Sequence, residues 1–77
     1  MRLDKFLKVS RLIKRRTVAK EQIDSEKVLL NSKIAKASSE VKIGDKIFLV
    51  KSNETYEVTN IYPSATEEKA KEMYRKI

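Results

Sequence analysis

Leu3, Phe6 and Leu7 fall at i, i+3 and i+4 with charged residues between them, the spacing that lines one face of a helix. The phase is lost after Val9, so a break or tight turn is expected near residues 10–14. A second helix fits residues 15–25, with Val18, Ala19, Gln22 and Ile23 on its inner side. The period then changes from 3.6 to two. Residues 27–31 read as a strand with Val28 and Leu30 on one face, Asn31-Ser32-Lys33 as a turn, and residues 34–36 as a short partner strand. Gly44 and Asp45 mark a turn into a further strand through Ile47, Phe48, Leu49 and Val50. A polar loop over 51–54 leads to a strand over 56–61. Phe6 and Phe48 are both expected in the core.

Pro63 ends the strand region. Ser64 and Glu67 then have the spacing of a capping box, and Ala70, Met73, Tyr74 and Ile77 form an apolar stripe at helical spacing. Glu67 and Glu68 lie where the first turn would be, Arg75 and Lys76 where the last would be, which suits the helix macrodipole. The predicted fold is α/β of the α+β kind: two helices on a small, mainly antiparallel sheet within residues 1–62, and a C-terminal helix over 63–77 docked on it.

Charge sharpens this picture because it is uneven. The chain has 77 residues and a net charge of +7. Arg2, Lys5, Lys8, Arg11, Lys14, Arg15, Arg16 and Lys20 face a single acid, Asp4, in the first twenty residues, and the rest of the chain is balanced. A basic surface confined to one end attracts polyanions, of which phosphate backbones are the commonest. Some of these cations sit where they harm the fold. Arg15 and Arg16 open the second helix, where positive charge opposes the dipole, and Arg16 and Lys20 are a like-charged pair four residues apart. Docked phosphates would reverse the sign of these terms. On this reading, loss of Arg16 leaves the fold intact or slightly firmer.

Enzyme chemistry has little to work with. There is no histidine and no cysteine, which removes the usual general base, the thiolate nucleophile and the commonest metal ligands. Acids are scattered without metal-site spacing, one glycine cannot build a phosphate loop, and Ser38-Ser39 has no base partner. No cofactor is expected. No apolar run approaches the roughly 20 residues of a membrane span, so a cytoplasmic, membrane-free setting is expected. Aromatic residues are too few for a base-stacking sheet, which favours recognition of RNA shape and backbone.

The order helix, turn, helix, small sheet, with cations on the paired helices, resembles the RNA-binding domain of ribosomal protein S-four, the αL motif. The match runs through Arg2-Leu3-Asp4-Lys5-Phe6-Leu7, the Arg16 to Ala19 segment, Ile23, Val28-Leu29-Leu30-Asn31 and Val41-Lys42-Ile43-Gly44-Asp45. Within that family the stretches MRLDKFLKVSRLIKRRT, VAKE, AKASSEVK and a terminal EMY are most similar to bacterial ribosome-associated quality-control factors. The resemblance implies a non-catalytic factor on the large ribosomal subunit, contacting its rRNA and a peptidyl-tRNA. It implies support for a tailing factor of the NEMF type, RqcH, that adds C-terminal alanine tails. RNA contact is implied for Arg2 and Arg16; charge and helix phase extend that surface to Lys5, Arg11, Arg15 and Lys20. A monomer is expected, and Met1 directly on the motif points to a self-standing domain. The family usually has glycine where Glu26 and Ser32 stand, so a left-handed backbone is expected at both.

Overall fold

The computed structural model describes residues 1–77. The chain forms α1 (Leu3–Val9), α2 (Arg16–Asp24), β1 (Val28–Leu30), β2 (Lys33–Ile34), β3 (Lys46–Leu49), β4 (Glu54–Val58), α3 (Glu67–Ala70) and β5 (Tyr74–Lys76). The five strands make one sheet in the order β2-β1-β3-β4-β5, antiparallel at every pairing. The two N-terminal helices and the inner strands therefore lie close to where the hydrophobic periods put them.

Register assigns the sheet its two faces. Val28 lies opposite Leu49, and Leu30 opposite Ile47, which lies opposite Tyr56. Directly paired residues point the same way, so these side chains share the inner face. There Val28, Ile47, Leu49 and Val58 join Leu3, Phe6, Leu7, Ala19 and Ile23 in one core cluster. Phe6 is fully buried as expected. Phe48 is not in that core: it pairs with Leu29 on β1 and Thr55 on β4, one residue out of phase with Ile47 and Leu49. A strand reverses its side-chain direction at every residue, so only alternate members of the apolar run 47–50 can face inward.

The C-terminal helix is shorter than its pattern suggests. The Thr66 hydroxyl, not Ser64, caps it, accepting from the Lys69 N–H at 3.3 Å, and the helix lasts four residues. Ala70 and Met73 are buried as the stripe requires, but Ile77 is exposed. From Tyr74 the chain extends and pairs with β4. An isolated short helix forms poorly because its nucleus is costly, whereas β4 without β5 would present an unpaired edge. Pairing also brings Arg75 onto Glu57 and Lys76 onto Glu54, and sets Tyr56 against Tyr74 edge-to-face with ring centroids 5.3 Å apart. At that seam the Tyr56 hydroxyl donates to Glu54 at 2.8 Å. Burial first, then the neighbouring carboxylate, pushes its pKa up to about 12.

Glu26 and Ser32 adopt φ of 63° and 67°, left-handed as the family glycines imply. Arg11, in the turn after α1, joins them at φ 63°. Each is an L-residue in a conformation that crowds its Cβ against the following carbonyl.

Candidate nucleic-acid interface

The start of α1 is fixed from outside the helix. The N–H groups of Leu3 and Asp4 lack intrahelical partners, as the first turn of any helix must. They donate to the carbonyls of Ser39 at 2.8 Å and Ala37 at 3.2 Å. Arg2, the N-cap residue, is bridged to Glu40 in the same place. At the other end of α1 the buried Ser10 hydroxyl donates to the Leu7 carbonyl at 3.3 Å, and the Ile13 N–H returns to the same carbonyl at 3.1 Å. This pinned turn lets Arg11 and Lys14 project from between the helices. Arg15 caps α2 without a side-chain hydrogen bond, and no acid occupies the first turn of α2.

Lys5, Lys8, Arg11, Lys14 and Arg16 line one groove of about 730 Å³. Its opposite wall is Pro63, Ser64, Ala65 and Glu67 from the segment leading into α3. The Arg11 guanidinium donates across to the Ala65 carbonyl at 3.3 Å and ties the two walls together. Five cations against one carboxylate give the groove a strongly positive field, which low-dielectric walls focus onto an approaching anion.

Of the residues chosen from sequence, Lys5, Arg11 and Arg16 come together in the groove. Arg2 stands beside it, joined to Arg16 through Asp4. Arg15 and Lys20 are exposed outside the lining. Lys8, Lys14 and the 63–67 wall were not singled out. The charge count held a signal for the two lysines, but nothing local marks the wall, which tertiary contact alone brings there.

Asp4 also escaped sequence reasoning as anything more than a stray acid. It is 3% exposed, the one buried charged residue of the chain. Its carboxylate accepts from Arg2 Nε at 3.2 Å, Arg16 Nε at 3.3 Å and the Lys5 N–H at 2.8 Å. Burial pushes its pKa up; the Arg16 hydrogen bond, the Lys5 N–H and the charges of both arginines outweigh that and hold it below its ordinary value. A lone acid within a basic run, two residues from one arginine and twelve from another, is the only trace of this arrangement in the sequence.

An S4 domain matches residues 1–47, both helices and the sheet through Ile47. The chain belongs to the S4-domain family, among the RQC P-site tRNA stabilizing factors. The Bacillus subtilis protein of that name is 49% identical over 96% of this chain and 88% of its own length. That of Halalkalibacterium halodurans is 46% identical over 96% of this chain and 86% of its own. Heat shock protein 15 of Vibrio cholerae, solved as a trimer, superimposes with a TM-score of 0.92 at 31% identity, covering all of this chain and 81% of that one. The groove wall at 63–67 lies beyond the matched S4 domain but within the span shared with these family members.

Proposed function

We propose that this protein is a non-catalytic RNA-binding factor that engages the large ribosomal subunit carrying a peptidyl-tRNA. It contacts rRNA and tRNA phosphates together and holds the tRNA in place between elongation steps. In that setting it acts as a monomer in the cytoplasm, beside a NEMF-family tailing factor (RqcH), and supports C-terminal alanine tailing in ribosome-associated quality control. The observation that carries this reading is the groove of five cations between the paired helices and the 63–67 wall. Such a surface suits a phosphate backbone, and the near-full-length relatives named as P-site tRNA stabilizing factors supply the setting. Arg2, Arg15 and Lys20 extend the contact area beyond the groove.

Affinity purification of the tagged protein tests this. Recovery of large subunits that carry tRNA and lack small subunits is expected. Equal recovery of empty large subunits would identify a general rRNA-binding or assembly factor instead.

A further inference from the structure

Asp4 is the only acid among the first twenty residues, and it is buried at the centre of the basic face. Each of its two arginine partners uses the same edge to reach it: Arg2 donates through Nε and Nη2 at 3.2 and 3.4 Å, Arg16 through Nε and Nη2 at 3.3 and 3.5 Å. A guanidinium has five N–H donors in a rigid fork. Binding through the Nε–Nη2 edge leaves the Nη1 hydrogens and the outer Nη2 hydrogen of each arginine free. Both side chains are about half exposed, 51% for Arg2 and 47% for Arg16, so each arginine stays accessible to an incoming anion while bound to Asp4.

We propose that Asp4 is a positioning residue that locks Arg2 and Arg16 into a preformed two-guanidinium clamp for a nucleic-acid backbone phosphate. This rests on the RNA-binding reading above and deepens it. Two long cationic side chains brought together repel each other and lose rotamer freedom when they bind. The shared carboxylate removes the repulsion and fixes the rotamers beforehand, so the phosphate meets donors already in place. Burial does not neutralise Asp4, because its arginine and Lys5 N–H partners hold its pKa below the ordinary value of 3.8, so the carboxylate is charged at neutral pH.

The proposal has a sign that simple electrostatics does not share. If Asp4 merely dilutes the positive field, Asp4→Asn raises net charge by one and tightens RNA binding. If Asp4 positions the arginines, the amide presents its NH2 to guanidinium donors, at least one fork is released, and binding weakens despite the added positive charge.

The experiment measures affinity of the full chain for an RNA hairpin at fixed salt, with thermal melts, for wild type, Asp4→Asn, Arg16→Lys and the double variant. Asp4→Asn is expected to bind about tenfold more weakly while still folded. Arg16→Lys keeps its charge but not its fork and should lose a similar factor. The double variant should be no weaker than the weaker single one, because both break one unit. The Nε–H resonances of Arg2 and Arg16 are expected to be sharp in wild type and to broaden in Asp4→Asn, a change that altered stability alone does not produce. Unchanged or tighter binding by folded Asp4→Asn, or strictly additive losses, overturns the clamp. Should Asp4→Asn not fold, wild-type affinity in Arg16→Lys overturns it equally. Absence of RNA binding by the wild-type protein would defeat the RNA-binding reading itself, whereas wild-type affinity in Asp4→Asn defeats the clamp alone.

Discussion

Arg16 on α2 and Asp4 on α1 meet with Nε 3.3 Å from Oδ2, linking the two helices through a buried carboxylate. Arg16 is therefore part of the fold as well as of the basic face. The sequence suggested that its loss would leave the fold intact or firmer, because it opposes the dipole of its own helix. Its bond to Asp4 reverses that expectation. Arg16→Ala removes one partner of a buried charge, and such losses are costly. Solvent screening at the half-exposed arginine, relief of the dipole conflict and the remaining Arg2 and Lys5 partners limit the cost to about 1 kcal/mol. A thermal melt should fall by about 5 °C, with weaker RNA binding. A melt at or above wild type would show that Arg2 and the Lys5 N–H satisfy Asp4 alone.

The same carboxylate sets a pH dependence. Its pKa is lowered in the folded state from an ordinary value of 3.8. The unfolded chain therefore takes up the proton first as pH falls. The stability Asp4 contributes is fully present above that ordinary value and is lost as pH drops through the folded one. Wild type should be more stable than Asp4→Asn at pH 6, and the gap should begin to narrow as pH falls past the ordinary value of 3.8 and close once it has passed the lowered folded one. Guanidinium melts of both proteins across that range measure it; a gap independent of pH would show that ionisation of Asp4 contributes nothing.

Backbone strain offers gains elsewhere. Glu26 and Ser32 are exposed and hold φ of 63° and 67°, where only glycine is free of Cβ crowding. Glu26→Gly and Ser32→Gly should each stabilise by up to about 1 kcal/mol, the relief exceeding the added freedom of the unfolded chain. Neither residue lines the groove, so RNA affinity should not change. Lower denaturation midpoints for both would mean that their turns tolerate the side chains without strain.

Met73 lies fully buried between α3 and β5. Its N–H donates to the Ala70 carbonyl at 3.1 Å, and its carbonyl accepts from Thr59 at 2.9 Å. Met73→Asp places a carboxylate there without a partner, at a cost of about 3 kcal/mol or more. Because residues 63–67 form the second wall of the groove, stability and RNA binding should fall together. A wild-type melt with lost tailing would instead make this segment a partner surface.

Salt should report the number of phosphates held. With four to six contacts, log K should fall against log salt with a slope of about −3 to −5. Arg16→Ala should flatten it by about one unit. Titrations of an RNA hairpin from low to moderate salt measure both, and a flat response would sink the electrostatic account of the groove.

Hydrophobic period and charge count were enough to find α1, α2, β1 and β3 and to confine the basic face to the first twenty residues. Those features rest on neighbours in sequence: i, i+3, i+4 spacing for Leu3, Phe6 and Leu7, alternation for the strands, cations within one short stretch. The left-handed turns at Glu26 and Ser32 were legible only through family resemblance, since neither residue type announces positive φ. Tertiary structure decided the rest. Residues 74–76 follow a helical stripe in sequence, yet the unpaired edge of β4 takes them as β5, because long-range backbone pairing outweighs local propensity in a segment this short. The groove needs a wall from 63–67, and Arg11 reaches Ala65 across fifty-four residues. Asp4 reads as a lone acid until the helices fold back on each other, and only then does burial leave its charge with Arg2 and Arg16 as its partners.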